Sequence, residues 1–206
     1  MIEIRHKESR EVLLVVDSDT LSGQKLAGSH LPEANFAGMN LEGCDLRSAD
    51  LRFCDFSGAN LSGANLHSAS LGNATLDDAV MVGIDLTDSL MPSASFCRAT
   101  MTRAVLRYAR LPESDLSHAN LTDADMSMAD LRCVFLGTIL VNADLRASDL
   151  TGADLRNANL AGANLTNAKL FGARMAHAEL EGATDRRGTI RTGHRRTKRP
   201  WWQFWG

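Results

Sequence analysis

A leucine, or a residue of similar bulk, returns at every fifth position along most of this chain. The stretch 147–172 shows it without interruption: Leu150, Leu155, Leu160, Leu165 and Leu170, each preceded two residues earlier by Ser148, Ala153, Ala158, Ala163 or Ala168. An amphipathic helix needs apolar spacings of three and four, and a half-buried strand needs two. A strict five fits neither. It fits a short extended segment that turns two side chains inward, followed by a turn, repeated without end. A unit of five residues cannot bury its own apolar side chains, so such units must stack into a solenoid.

The register starts weakly at Leu21 and is clear from Leu31. It supplies 24 central positions from Leu21 to Leu136 and nine more from Leu140 to Leu180. Taking the central residue as position 0, small residues occupy −2, and turn-formers occupy +2: Gly38, Gly43, Gly58, Gly63, Asn73, Gly152, Asn157, Gly162. Cys44 and Cys54 stand at −2 and read as small core residues. Pro32, Pro92 and Pro112 all stand at +1, so the amide of that position is not needed between coils.

Units such as Ala153-Asp154-Leu155 and Ala163-Asn164-Leu165 resemble the A[D/N]LxG motif of the pentapeptide-repeat family, and the resemblance covers about residues 21–184. It implies an all-β fold, a right-handed quadrilateral parallel β-helix with four pentapeptides per coil. Thirty-three repeats then make about eight coils, a rod about 40 Å long at roughly 4.8 Å per layer. Residues 20 apart share a column, which places Phe36, Phe56 and Phe96 together.

Three segments follow. Residues 1–20 lie outside the repeat: Ile2 and Ile4, then Val12, Leu14 and Val16, alternate around a polar loop and read as a β-hairpin that caps the open end of the solenoid. Residues 21–184 are the rod. Residues 185–206 are a basic, aromatic-ended tail read as flexible. The net charge of −3 hides an asymmetry: the tail holds seven Lys/Arg against Asp185, or +6, which leaves 15 basic and 24 acidic side chains, or −9, in 1–184. The four Cys show no metal or disulfide spacing, and the apolar run at 12–16 is too short for a signal peptide. Both point to a reduced, cytoplasmic protein, and a bacterial source is expected.

The places where the pattern lapses draw attention. The register slips by one residue, read here at 137–140 as a tightened corner. Between 98 and 133, position +2 loses its small turn-formers. Arg98, Arg103, Val105, Arg107, Tyr108, Arg110, Met128 and Phe135 form the candidate interaction surface, since Arg and large apolar groups facing outward have the composition of an interface. Tyr108 and Met128, 20 apart, are expected to stack. A solenoid also tolerates drift at outward positions, the plainer explanation. In the tail, Arg195, Arg196, Lys198, Arg199, Trp201, Trp202, Phe204 and Trp205 form a candidate anchor. It suits docking back on the rod, an anionic membrane surface or partner, or single-stranded nucleic acid, the last being the least favoured.

Motifs for catalysis or phosphate binding are missing, the six His are scattered, and the Asp residues at −1 belong to the repeat itself, so neither a metal, a cofactor nor an enzymatic activity is expected. Asp125 over Asp144 and Asp130 over Asp149 form short acidic ladders that Arg132, Arg146 and Arg156 are placed to neutralise. The expectation is a non-catalytic scaffold with a protein partner, a second copy of the chain included. The family resemblance implies an alternative, a DNA-mimicking binder of DNA gyrase or topoisomerase that protects against quinolones. The acidic body permits it, and the Arg98–Arg110 belt and basic tail count against it. A third reading is a peripheral membrane adaptor recruited by the tail.

Overall fold

The computed structural model describes residues 1–185 together with Arg187 and Thr189. From Lys25 to Thr184 the chain winds in a parallel β-helix, each coil bridged to the next by isolated parallel pairs. Four ladders run along it. The first ladder passes through Asp45, Asn65, Asp85, Val105, Asp125 and Asp144, and the second through Asp50, Ser70, Leu90, Arg110, Asp130 and Asp149. The third includes Asp55, Thr75, Ser95, Asp115, Val134 and Asp154, and the fourth Asn60, Val80, Thr100, Asn120, Ile139 and Asn159. Position −1 is the rung in every case. A turn follows each ladder, and the edge it forms takes the number of the ladder it follows.

The hydrogen bonds account for the five-residue code. The N–H of position 0 donates to the −1 carbonyl of the next coil, as Leu46 does to Asn65, and the +2 N–H donates to the next +1 carbonyl, as Gly43 does to Ser62. The −2 N–H closes the turn on the preceding position 0, as Ala49 does on Leu46. The +1 N–H takes no part in the backbone bonding between coils; it donates to the side chain two residues back, as Ser57 does to Asp55 Oδ1 and Thr87 to Asp85 Oδ1, or, at Cys97, to Asp77 Oδ1 of the coil before. That local bond is why Asp and Asn dominate position −1. It also explains the prolines, since Pro92 and Pro112 still accept through their carbonyls from Asn73 and Ser93. Position +2 adopts a left-handed φ, from 54° at Ser93 to 71° at Gly182, the conformation of the third residue of a type II turn.

Inside, the 0 and −2 side chains form one continuous core. Phe36, Phe56, Phe96 and Phe135 are fully buried behind the third ladder, and the rings of Phe36 and Phe56 stack at 4.7 Å with 4° between planes. Cys44 and Cys54 are buried at −2. The buried hydroxyls that replace Ala there are all satisfied: Ser89 donates to the Leu86 carbonyl and Ser148 to that of Leu145 within their own turns, while Ser114 and Thr138 donate to the Met91 and Leu116 carbonyls of the coil before.

At the amino end, β1 (Ile2–His6) and β2 (Val12–Val16) form an antiparallel hairpin with an irregularity between Ile4 and Arg5. β1 also pairs antiparallel with β3 (Ala34–Asn35), and Ile4 is fully buried in the core of the coils.

The register slip is real, but it lies earlier than 137–140. Bridges step by 20 up to Arg110↔Asp130, by 19 from Asp115↔Val134 to Asp130↔Asp149, and by 20 again from Val134↔Asp154. The missing residue is therefore the +2 position after Arg132. The turn closes over three residues, with the Cys133 N–H donating to the Leu131 carbonyl at 2.8 Å. Two readings change as a result. Phe135, expected outward, is the central residue of its repeat and is fully buried, while Leu136 is at +1; Cys133 is a core residue at −2, 5% exposed.

Candidate interaction surface

Consecutive turns fall on different edges, so the outward residues of 98–128 do not form one patch. Arg98 lies on the third edge and pairs with Asp78 of the coil before it, Nη2 to Oδ2 at 2.7 Å. Arg103 lies on the fourth edge. Val105, Arg107, Tyr108 and Met128 come together at the first edge, and Arg110 follows directly on the second ladder. Phe135 is absent from any surface. The tail residues Arg195, Arg196, Lys198, Arg199, Trp201, Trp202, Phe204 and Trp205 lie outside the described residues.

The first edge is built by the turn chemistry. Tyr108 and Met128 occupy +2 with φ of 59° and 60°, a region that costs a non-glycine residue roughly 1 kcal/mol. That φ swings each side chain away from the core, leaving Tyr108 50% and Met128 54% exposed. Their coils are joined by the Tyr108 N–H to the Ser127 carbonyl at 3.3 Å. Val105 is the first-ladder rung between Asp85 and Asp125. Arg107 is held by Asp125 at 3.0 Å, and Asp125 also accepts from the Ser127 hydroxyl at 2.7 Å. On the other flank, Leu90 is 43% exposed and is the rung beside Arg110. Sequence reasoning passed over Leu90; its signal was an apolar residue at −1, where the turn wants Asp or Asn.

Charge surrounds this apolar edge. The Arg132 guanidinium forks Asp130 with two bonds of 2.7 Å and holds its carboxyl below the usual range. Arg146 forks Asp144 in the same way, and Lys169 reaches Asp149 at 3.3 Å. The acidic ladders Asp125–Asp144 and Asp130–Asp149 are thus neutralised by Arg107, Arg146, Arg132 and Lys169; Arg156 serves Asp154 on the third ladder instead. Burial pushes the Cys54 thiol up to about 12 and raises that of Cys133 well above its ordinary value, so both stay protonated at neutral pH. Among the described residues no cluster of His, Cys, Asp or Glu is arranged to hold a metal ion.

A solenoid whose recurring geometry is internal and whose variation from repeat to repeat lies on its edges is, by construction, a repeat scaffold. The pentapeptide repeats model matches in eight copies, spanning residues 20–91 and 99–184 in overlapping segments, and the chain belongs to that family. Among solved structures it is similar to HetL, a pentapeptide repeat protein involved in heterocyst differentiation regulation in the cyanobacterium Nostoc, with 31% identity over 82% of this chain and 84% of that one and a TM-score of 0.51. QnrB1, a plasmid-mediated fluoroquinolone resistance protein, shares 20% identity over 74% of this chain and 93% of its own, with a TM-score of 0.32. Rfr23 from the cyanobacterium Cyanothece shares 22% identity over 80% and 87%, with a TM-score of 0.30. No functionally curated protein matches the chain.

Proposed function

We propose that the chain is a non-catalytic interaction scaffold, and that the first edge around Tyr108 and Met128 binds a protein partner. One observation carries this. Nine consecutive turns from Asp88 hold non-glycine residues at left-handed φ, and the last seven are Arg98, Arg103, Tyr108, Glu113, His118, Asp123 and Met128. Glycine removes that strain in many other turns, so side chains retained there despite it point to use at the surface. On the first edge they are large, half-exposed and ringed by Leu90, Val105, Arg107 and Arg110. The remaining architecture serves as a frame: a right-handed coil of square section, closed at its amino end by the hairpin, acting in the cytoplasm. The gyrase reading is less favoured. Asp45, Asp50, Asp130, Asp144 and Asp154 are each paired with an Arg two residues on, which breaks up a DNA-like negative surface.

The test is quantitative affinity capture from an extract of the source cells with the full chain, a Tyr108→Ala/Met128→Ala variant and an Arg98→Ala control on another edge. A partner retained by the control and lost by the double variant supports the reading. Identical captures with all three proteins refute it.

A further inference from the structure

The fourth ladder differs from the other three. Among the described residues, the ion pairs of the coils fall on the first three ladders and their edges, and none on the fourth. Its six middle rows, taken as −1 and +1 residues, read Asn60/Ser62, Val80/Val82, Thr100/Thr102, Asn120/Thr122, Ile139/Val141 and Asn159/Ala161. The charges around these rows lie at the borders: Arg103 and Asp123 at +2 on adjacent coils of the fourth edge, the mutually paired Asp78 and Arg98 on the third edge, and Glu42, Glu179 and Glu181 in the two end rows of the ladder. Arg103 and Asp123 are not paired with each other within the chain; Asp123 accepts from the Asn142 amide at 3.1 Å. Val80 and Ile139, at 41% and 40%, are the exposed large apolar side chains of this ladder. Depletion of charge around a small apolar core is the compositional mark of an interface.

The order of the rows says what the interface fits. About a point midway between the Thr100 and Asn120 rungs, the ladder is a palindrome in character: Thr/Thr faces Asn/Thr, Val/Val faces Ile/Val, and Asn/Ser faces Asn/Ala. On the fourth edge the same symmetry sets Gly63 opposite Gly162 and Arg103 opposite Asp123, while Gly83 falls opposite Asn142. A two-fold axis lying in the face at that midpoint, perpendicular to the rod, turns the rod end for end and keeps each edge on its own side. It sets Val80 against Ile139 of a second copy, Thr102 against Thr122, and Arg103 against Asp123, each pairing made twice. Isologous interfaces require this self-complementarity.

We propose that two copies of the chain associate antiparallel through the fourth ladder, with reciprocal Arg103–Asp123 pairs at one border. Six rows of about 4.8 Å, each about 10 Å wide, bury roughly 300 Å² per copy. That is well below a stable dimer, so association is weak and depends on concentration. The Tyr108 edge lies a full ladder away and stays open in the dimer, so the two surfaces are tested independently.

The experiment is sedimentation velocity of the full chain across concentrations up to about 1 mM, with Arg103→Glu and Asp123→Arg alone and mixed in equal amounts. Both sites are exposed turn positions, and circular dichroism verifies folding. Each variant alone sets like charges together twice and dimerises at least tenfold more weakly than wild type. The mixture forms heterodimers with both pairs restored, in reversed sense on one side, and recovers wild-type association within about threefold. A wild-type chain monomeric up to about 1 mM, single variants that dimerise like wild type, or a mixture that stays monomeric overturns the proposal.

Discussion

Restoring the residue missing after Arg132 tests how the coils are held. On the second ladder, each +2 N–H donates to the +1 carbonyl of the next coil: Phe53 to Gly72, Asn73 to Pro92, Ser93 to Pro112, Glu113 to Arg132 and, above the gap, Gly152 to Phe171. The Thr151 carbonyl is the one whose donor the deletion removed, and no backbone N–H reaches it among the described residues. A glycine inserted between Arg132 and Cys133 supplies that donor in a conformation glycine adopts freely. The added hydrogen bond contributes about 0.5–1.5 kcal/mol, and ordering one more residue costs about 1–2 kcal/mol. The insertion should therefore leave stability within about 1.5 kcal/mol of wild type. The same insertion one coil earlier, between Glu113 and Ser114, enters a turn that is already complete, with Ser114 buried and its hydroxyl bonded to the Met91 carbonyl at 2.6 Å. There the extra amide finds no carbonyl opposite and Ser114 is displaced, for a loss of about 3 kcal/mol or more. Urea melts followed by far-ultraviolet circular dichroism are the assay, because all three Trp lie in the tail. Equal losses from the two insertions would refute this account of the gap.

Thiol and acid titrations check the interior and the surface. At pH 8 iodoacetamide should label Cys97, which is partly exposed, and leave Cys44, Cys54 and Cys133 untouched until the protein unfolds; labelling of Cys133 as fast as Cys97 would contradict its place in the core. Side-chain hydrogen bonds from Arg47, Arg52, Arg98, Arg132 and Arg156 hold Asp45, Asp50, Asp78, Asp130 and Asp154 below the ordinary carboxylate range, Asp45 at about 2. Depressed folded-state values contribute stability that is complete above about pH 4 and lost as pH falls toward 2. Melting temperature should accordingly drop between pH 4 and 2, and a flat profile over that window would show that these pairs contribute nothing.

The fivefold recurrence was enough to read the fold as a stacked coil, because only a turn after every two inward residues satisfies that period. It also placed Cys44, Cys54 and the phenylalanine column inside, since inward and outward positions follow from counting. The position of the missing residue could not be counted. Leu136 and Phe135 are both apolar and adjacent, so each serves equally well as a central residue in one dimension. Tertiary structure decided between them, because Val134 must bridge Asp115 below and Asp154 above for the ladder to continue. The candidate surface followed the same logic. Sequence proximity grouped Arg98, Arg103 and Tyr108, but successive turns face different edges, and only residues a whole coil apart share one. That geometry kept Tyr108 with Met128, brought in Leu90, sent Arg103 to the side of Asp123 and assembled the six uncharged middle rungs of the fourth ladder from residues 19 or 20 positions apart.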